Sequence, residues 1–274
     1  MAGPAITGRK GWGLLAYAVF YLAFLYIPVM FLPLFSFNDS AFIAFPLVGF
    51  TTKWYGQMLA DTAMQHALWN SIKVGSAAAL VSTTLALLAA RALTRYHLPG
   101  GGAILSITSL PLFIPDIVLG ISLLLLVNAV RIPLSLMVVT IGHVLICVPF
   151  AIAVLMSRLE GFDRNLEEAS LDLGETGWMT FWRITLPLVL PGVISSLLLT
   201  FIVSFDEFLI AYFLAGTEQT LPIYIWGQLR FPQNLPVVLA LGALILVTSC
   251  LLVVLAEWLR SLGVERGRQM PVGA

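Results

Sequence analysis

Six long apolar stretches, at 13–35, 67–90, 103–127, 133–156, 187–210 and 237–259, alternate with shorter polar segments along the chain. A helix needs roughly 20 apolar residues to cross the hydrocarbon core of a bilayer, so each stretch is long enough for one span. The pattern predicts an all-α integral membrane protein with six transmembrane helices and both termini on one side. Composition agrees: 59% of residues are apolar, 10% are charged, and the mean hydropathy is +0.98, values that belong to a chain dissolved in lipid. The first stretch follows Arg9 and Lys10 as a signal peptide would, but it is too long and lacks a small-residue cleavage site. It is expected to remain as the first span of a single transmembrane domain covering residues 1–274.

Charge placement orients the bundle, because Lys and Arg accumulate in cytoplasmic loops. Arg9, Lys10, Arg91, Arg95, Arg158, Arg164, Arg183, Arg260, Arg266 and Arg268 fall on one side, ten against Lys53, Lys73, Arg131 and Arg230 on the other. Both termini are therefore expected in the cytoplasm. The segment 36–66 is expected outside, with Phe50, Trp54, Tyr55 and Met58 spaced as on an interfacial helix or a membrane-edge aromatic belt. Prolines at 28, 33, 111, 115, 149, 187 and 191 punctuate the spans, and the backbone groups they free need neighbouring helices or a watered cavity. Gly75, Ser76, Ala79, Ser82 and Ala86 recur at helical spacing and suit close packing of the second span.

Several function classes lose support. Fourteen basic residues balance fourteen acidic ones with no basic tract, so no nucleic-acid partner is expected. Cys147 and Cys250 both sit in apolar runs and read as small buried hydrophobes. With His66, His97 and His143 they make no recognised zinc spacing, and His143 reads as a hydrogen-bonded histidine inside the bundle; no metal is expected. The stretch Gly3 to Gly8 followed by Arg9 has the outline of a phosphate loop, but Arg9 stands where a lysine belongs and no strand precedes it. No nucleophile–base pair suggests a membrane enzyme.

Between the fourth and fifth spans, residues 157–186 carry six of the fourteen acidic side chains. Leu166, Ala169, Leu173, Trp178, Phe181 and Trp182 are spaced for two short amphipathic helices broken at Gly174 and Gly177, a knob with a face to offer a partner groove. Glu168, Ala169, Gly174, Ile184, Leu186 and Pro187 match the spacing of the EAA loop of binding-protein-dependent ABC importer permeases, with Ser170 replacing the second alanine. The resemblance implies the type I importer permease fold, with this loop as a cytoplasmic coupling helix docked in a cleft of an ATP-binding subunit. ATP and Mg would bind that partner, leaving this chain without a cofactor or an enzymatic step. A bare Gly174 would let the partner approach closely, and Glu168 would pair at the rim.

Acidic residues within spans are costly and mark functional candidates. Asp116 lies in the third span, and Asp206 and Glu207 lie in the fifth, with no basic residue of the chain expected at their depth. The segment Ser204–Phe208, with Phe213–Gly216, Leu221–Pro222 and the third-span Pro115–Gly120, resembles spermidine/putrescine permeases. That likeness implies a polyamine path lined by Asp206 and Glu207, with Asp116 a further candidate. Phe208, Tyr212 and Trp226, with Phe205, would hold a protonated amine by cation–π attraction. Alternatively, Asp116 caps a half-helix, and Asp206 or Glu207 forms intersubunit hydrogen bonds at a gate. Implied partners are a second permease in a heterodimer, two ATP-binding subunits and a periplasmic binding protein. Opines, amino-acid-like amines, thiamine or iron are alternative cargoes on the same scaffold. A proton-coupled secondary carrier relaying through the three acids is the alternative of another class, against which no internal repeat stands out.

Overall fold

The computed structural model describes residues 9–96 and 98–268. His97, the Gly3–Gly8 stretch and the side chains of Arg9, Lys10, Arg260, Arg266 and Arg268 lie outside what it describes. The helices in chain order are α1 (Arg9–Ser36), α2 (Lys53–Ala60), α3 (Thr62–Arg95), α4 (Gly101–Ser109), α5 (Asp116–Ala129), α6 (Leu136–Glu160), α7 (Asn165–Asp172), α8 (Gly177–Thr180), α9 (Leu186–Asp206), α10 (Leu209–Leu214), α11 (Leu221–Gln228) and α12 (Leu235–Arg268).

Five continuous helical stretches are long and apolar enough to cross a membrane: Trp12–Ser36, Thr62–Arg95, Leu136–Glu160, Gly177–Asp206 and Pro232–Leu255. The third expected span is different. It is a pair, Gly101–Phe113 and Asp116–Ala129, bent by 102° at the break, and the count reaches six when the pair is one span. Proline explains the break. Ile114, directly before Pro115, is extended at φ −88° and ψ 129°, the region into which a following proline ring drives its neighbour. Pro115 itself offers no N–H to continue the ladder.

The chain forms two compact units: in their described parts, Met1–Asp61 with Gln228–Val247, and Thr62–Gly227 with Thr248–Ala274. In the first, the chain after α1 doubles back on itself. Asn38 bridges Phe50, and Asn38 Oδ1 accepts the Val48 N–H at 3.0 Å while its carbonyl accepts Trp54 Nε1 at 2.8 Å. Of the aromatic positions expected on one interfacial helix, Trp54 and Tyr55 lie in α2 with a buried Met58; Phe50 precedes the helix and is exposed.

In the second unit α3, α6 and α9 pack together. Lipid tails are as apolar as leucine, so helices in a bilayer associate through close van der Waals fit rather than through removal of apolar surface from water. The small residues of α3 supply that fit: Ala78, Ser82, Ala86 and Ala90 are fully buried, and Gly75 faces the Phe201 ring. Ala86 and Ala90 pack with Ala151, Leu155, Leu159 and Val189, while Val74 joins Val139, Ile146, Cys147 and Ile210 in a second cluster. Cys147 is buried, as read from its apolar run, but Cys250, in α12, is exposed.

Candidate functional site

The loop between α6 and α9 is a helix, a glycine turn and a second helix. Gly174 has φ +90°, a left-handed conformation open to glycine without steric cost. Its N–H reaches the Leu171 carbonyl at 2.9 Å and the Glu175 N–H reaches that of Ser170 at 3.2 Å, closing α7 with a Schellman cap. Thr176 then accepts the Met179 N–H at 3.3 Å and starts α8. Gly177 is therefore the first residue of the second helix and not a break, since Thr176 supplies the cap. That helix runs through a π turn, Phe181–Thr185, into α9.

Three arginines tie this knob to the bundle. Arg95 Nε lies 2.6 Å from Glu167 Oε2, with both side chains largely covered, and Glu167 also accepts the Thr185 hydroxyl. Arg91 donates to the Gly177 carbonyl at 3.1 Å and lies 4.4 Å over the Phe181 ring. Arg164 donates to the Thr94 carbonyl. Ser170 is buried, and its hydroxyl meets that of Thr180 at 3.0 Å, pinning α7 to α8. On the outside stand Glu168, Ala169 and Gly174, beside Leu173 at 87% exposure, Trp178 and Trp182. Ile184 lies half-buried in the π turn, and Leu186 and Pro187 open α9.

The second constellation lies where α9 ends. Asp206 is its last residue, exposed, and its carboxylate has no hydrogen bond or ion pair among the described residues. Glu207 breaks the helix at ψ 123° and turns inward. Its carboxylate accepts the Ile210 N–H at 3.0 Å and the Ala211 N–H at 3.1 Å, and Oε2 lies 3.2 Å from His143 Nε2. The expectation that no basic residue stands at the depth of these acids fails at Glu207: α6 delivers His143 to it across the bundle. His143 is 1% exposed, and its Nδ1 is 2.7 Å from Ser204 Oγ. Phe208 packs on Tyr212 and Trp226, with ring centroids 5.4 and 5.6 Å apart. Phe205 pairs instead with Phe201 at 5.6 Å. Asp116 is exposed on the first turn of α5, and among the described residues no hydrogen bond or ion pair joins it to this group.

Sequence reasoning placed Ser170 in the loop without its bond to Thr180, and it missed Arg91, Arg95 and Glu167 as the ties between loop and bundle, His143 as the partner of Glu207 and Ser204 as the partner of His143. Two signals were present: the serine where the EAA pattern has alanine, and a lone histidine in an apolar run. Neither names its partner. Among the described residues no group of three or more His, Cys, Asp or Glu side chains could hold a metal ion.

The apolar helices and the capped, glycine-turned knob are shared with a family of transport permeases. Residues 82–261 match the family described as binding-protein-dependent transport system inner membrane component, and the chain belongs to that family. It is 36% identical over 231 residues to the putrescine transport system permease protein PotI of Escherichia coli (strain K12), covering 81% of this chain and 82% of that one. It is 33% identical over 236 residues to the spermidine/putrescine transport system permease protein PotC of the same strain, covering 86% and 89%. A bacterial ABC transporter involved in the import of the acidic polysaccharide alginate shares the fold, with TM-score 0.69 and 17% identity over 95% of this chain and 99% of that one. The chain is thus an inner-membrane ABC importer permease with the type I fold, and not an enzyme.

Proposed function

We propose that this permease imports a polyamine, such as putrescine or spermidine, or a related organic cation. The single observation that carries the reading is the unpaired, exposed Asp206 carboxylate next in sequence to Phe205 and two residues before Phe208, which packs on Tyr212 and Trp226, in a chain whose relatives are named for polyamine transport. A carboxylate and aromatic faces are what a protonated amine requires, and in lipid an unpaired acid is costly unless it meets a cation.

The whole chain acts as one permease domain beside a second, related permease. A periplasmic binding protein delivers the cargo, and two ATP-binding subunits carry the ATP and Mg; this chain holds no cofactor. Both termini and the loop 157–186 face the cytoplasm. There Glu168, Ala169, Gly174, Ile184, Leu186 and Pro187 form the coupling surface. ATP-driven closure of the two ATPases draws the knobs together, and the bundle alternates between outward and inward access.

The test is ATP-driven uptake of radiolabelled putrescine by the assembled importer in proteoliposomes, challenged with unlabelled spermidine, an opine, thiamine and ferric iron. Saturable uptake blocked by spermidine alone supports the reading. Uptake suppressed by one of the other solutes, or no uptake of either polyamine, overturns it.

A further inference from the structure

Glu207 and Asp206 are adjacent, yet only one is free to meet a cargo. A carboxylate has about four acceptor positions. Glu207 Oε2 faces the Ile210 and Ala211 N–H groups and the His143 ring, Oε1 shares the Ile210 N–H, and only 9% of the side chain is exposed, so a cation would compete with the protein's own donors to reach it. The helix that Glu207 starts is itself wedged in place. Ile210 and Ala211 are fully buried, and α10 lies against two glycines. A Cβ added at Gly142 would come within 2.7 Å of Ile210 Cγ2, and one at Gly120 within 2.7 Å of the Phe213 ring. His143 follows Gly142 directly, so one turn of α6 both makes room for α10 and holds the side chain that caps it.

We infer that His143, seated by Ser204, is a positioning residue for transport: it holds Glu207 on the start of α10 and thereby sets Phe208 and Tyr212 relative to Asp206. Glu207 is a structural clamp, and Asp206 is the carboxylate that meets the cation. Only this last clause rests on the polyamine reading. The clamp stands on geometry alone: a buried imidazole whose Nδ1 is 2.7 Å from Ser204 Oγ and whose Nε2 is 3.2 Å from Glu207 Oε2, and a carboxylate shared between that ring and a helix start.

The experiment compares Asp206→Asn, Glu207→Gln, Glu207→Ala, His143→Ala and His143→Gln in the assembled importer, reading KM and Vmax for putrescine uptake. Glu207→Gln keeps an acceptor oxygen for α10, so KM should stay within about twofold of wild type, whereas Asp206→Asn should raise it about tenfold or more. Glu207→Ala and His143→Ala should lower Vmax about fivefold, and His143→Gln, which again reaches Glu207, should restore at least about half of it. A merely space-filling histidine would show neither the split between KM and Vmax nor the rescue. Glu207→Gln raising KM as Asp206→Asn does, or His143→Ala matching wild type, overturns the inference. If the wild type takes up no putrescine, the cargo reading falls by itself. The clamp is then judged by ATP hydrolysis stimulated by the loaded binding protein: Glu207→Ala and His143→Ala must lower it and the two glutamine variants must not.

Discussion

The loop and the end of the fifth span each carry two neighbouring acids, and the fold divides both pairs. In the loop Glu167 turns inward to Arg95 and Thr185, with 15% of its side chain exposed, while Glu168 stands on the surface. At the end of α9, Glu207 turns inward to His143 and the start of α10, with 9% of its side chain exposed, while Asp206 stands on the surface. The reasons differ. On α7, successive residues point about 100° apart, which lets Glu167 turn to the bundle while Glu168 stays exposed. At Glu207 the helix has ended, and an extended residue swings its side chain across to the next helix. In each region, then, the inward acid builds the platform and the outward acid is left available.

The surroundings diverge as well. The knob exposes Leu173, Trp178 and Trp182, whereas α10 buries Ile210, Ala211 and Leu214 completely or nearly so. The knob is a surface presented to something; α10 is a part enclosed. Substitutions should therefore act on assembly in one region and on stability in the other.

The largest effect is expected at Gly174. No atom lies within 4 Å of a Cβ built there, so the chain has room for a side chain, and the cost of Gly174→Asp falls on the left-handed backbone and on the docked partner. Loss of at least about 2 kcal/mol of docking energy, about thirtyfold in affinity, should nearly abolish uptake while the permease still inserts in the membrane. Uptake together with pull-down of the ATP-binding subunit measures this. Normal copurification and transport would remove the knob from the coupling surface.

Gly142→Val acts on the enclosed side. The added atoms meet Ile210 and Leu214, and overpacking of this kind costs about 1–3 kcal/mol. Tm of the purified assembly should drop, whereas Gly177→Ala, with open space around its Cβ, should leave it unchanged. Equal shifts for the two would mean that α10 is no more tightly enclosed than the knob.

The smallest effect belongs to Ser170→Ala. It restores the alanine of the EAA pattern and breaks the hydroxyl pair with Thr180, a loss of about 0.5–1.5 kcal/mol. A slight fall in Tm with uptake retained is expected. Lost coupling instead would show that the serine belongs to the outward surface.

The membrane class, five continuous spans, the polar loop and its glycine turn at 174 were legible in the sequence, and so was a proline interruption of the third span, though not its 102° bend. Each is a local property: twenty apolar residues suffice to span lipid, a proline acts on its own neighbours, and a motif is a fixed spacing along one segment. Burial of Cys147 and the small-residue face of α3 were legible for the same reason. The partners were not. His143 and Glu207 are 64 positions apart, and Arg95 and Glu167 are 72 apart. Only the packing of α3, α6 and α9 brings such residues within a bond length, because hydrogen bonds and ion pairs act over a few ångströms of space and carry no trace of separation along the chain. The sequence by itself determined that acids stand at 167, 168, 206 and 207 in a permease of this family. Tertiary structure decided which of each pair is sealed into the fold and which is left for a partner or a cargo.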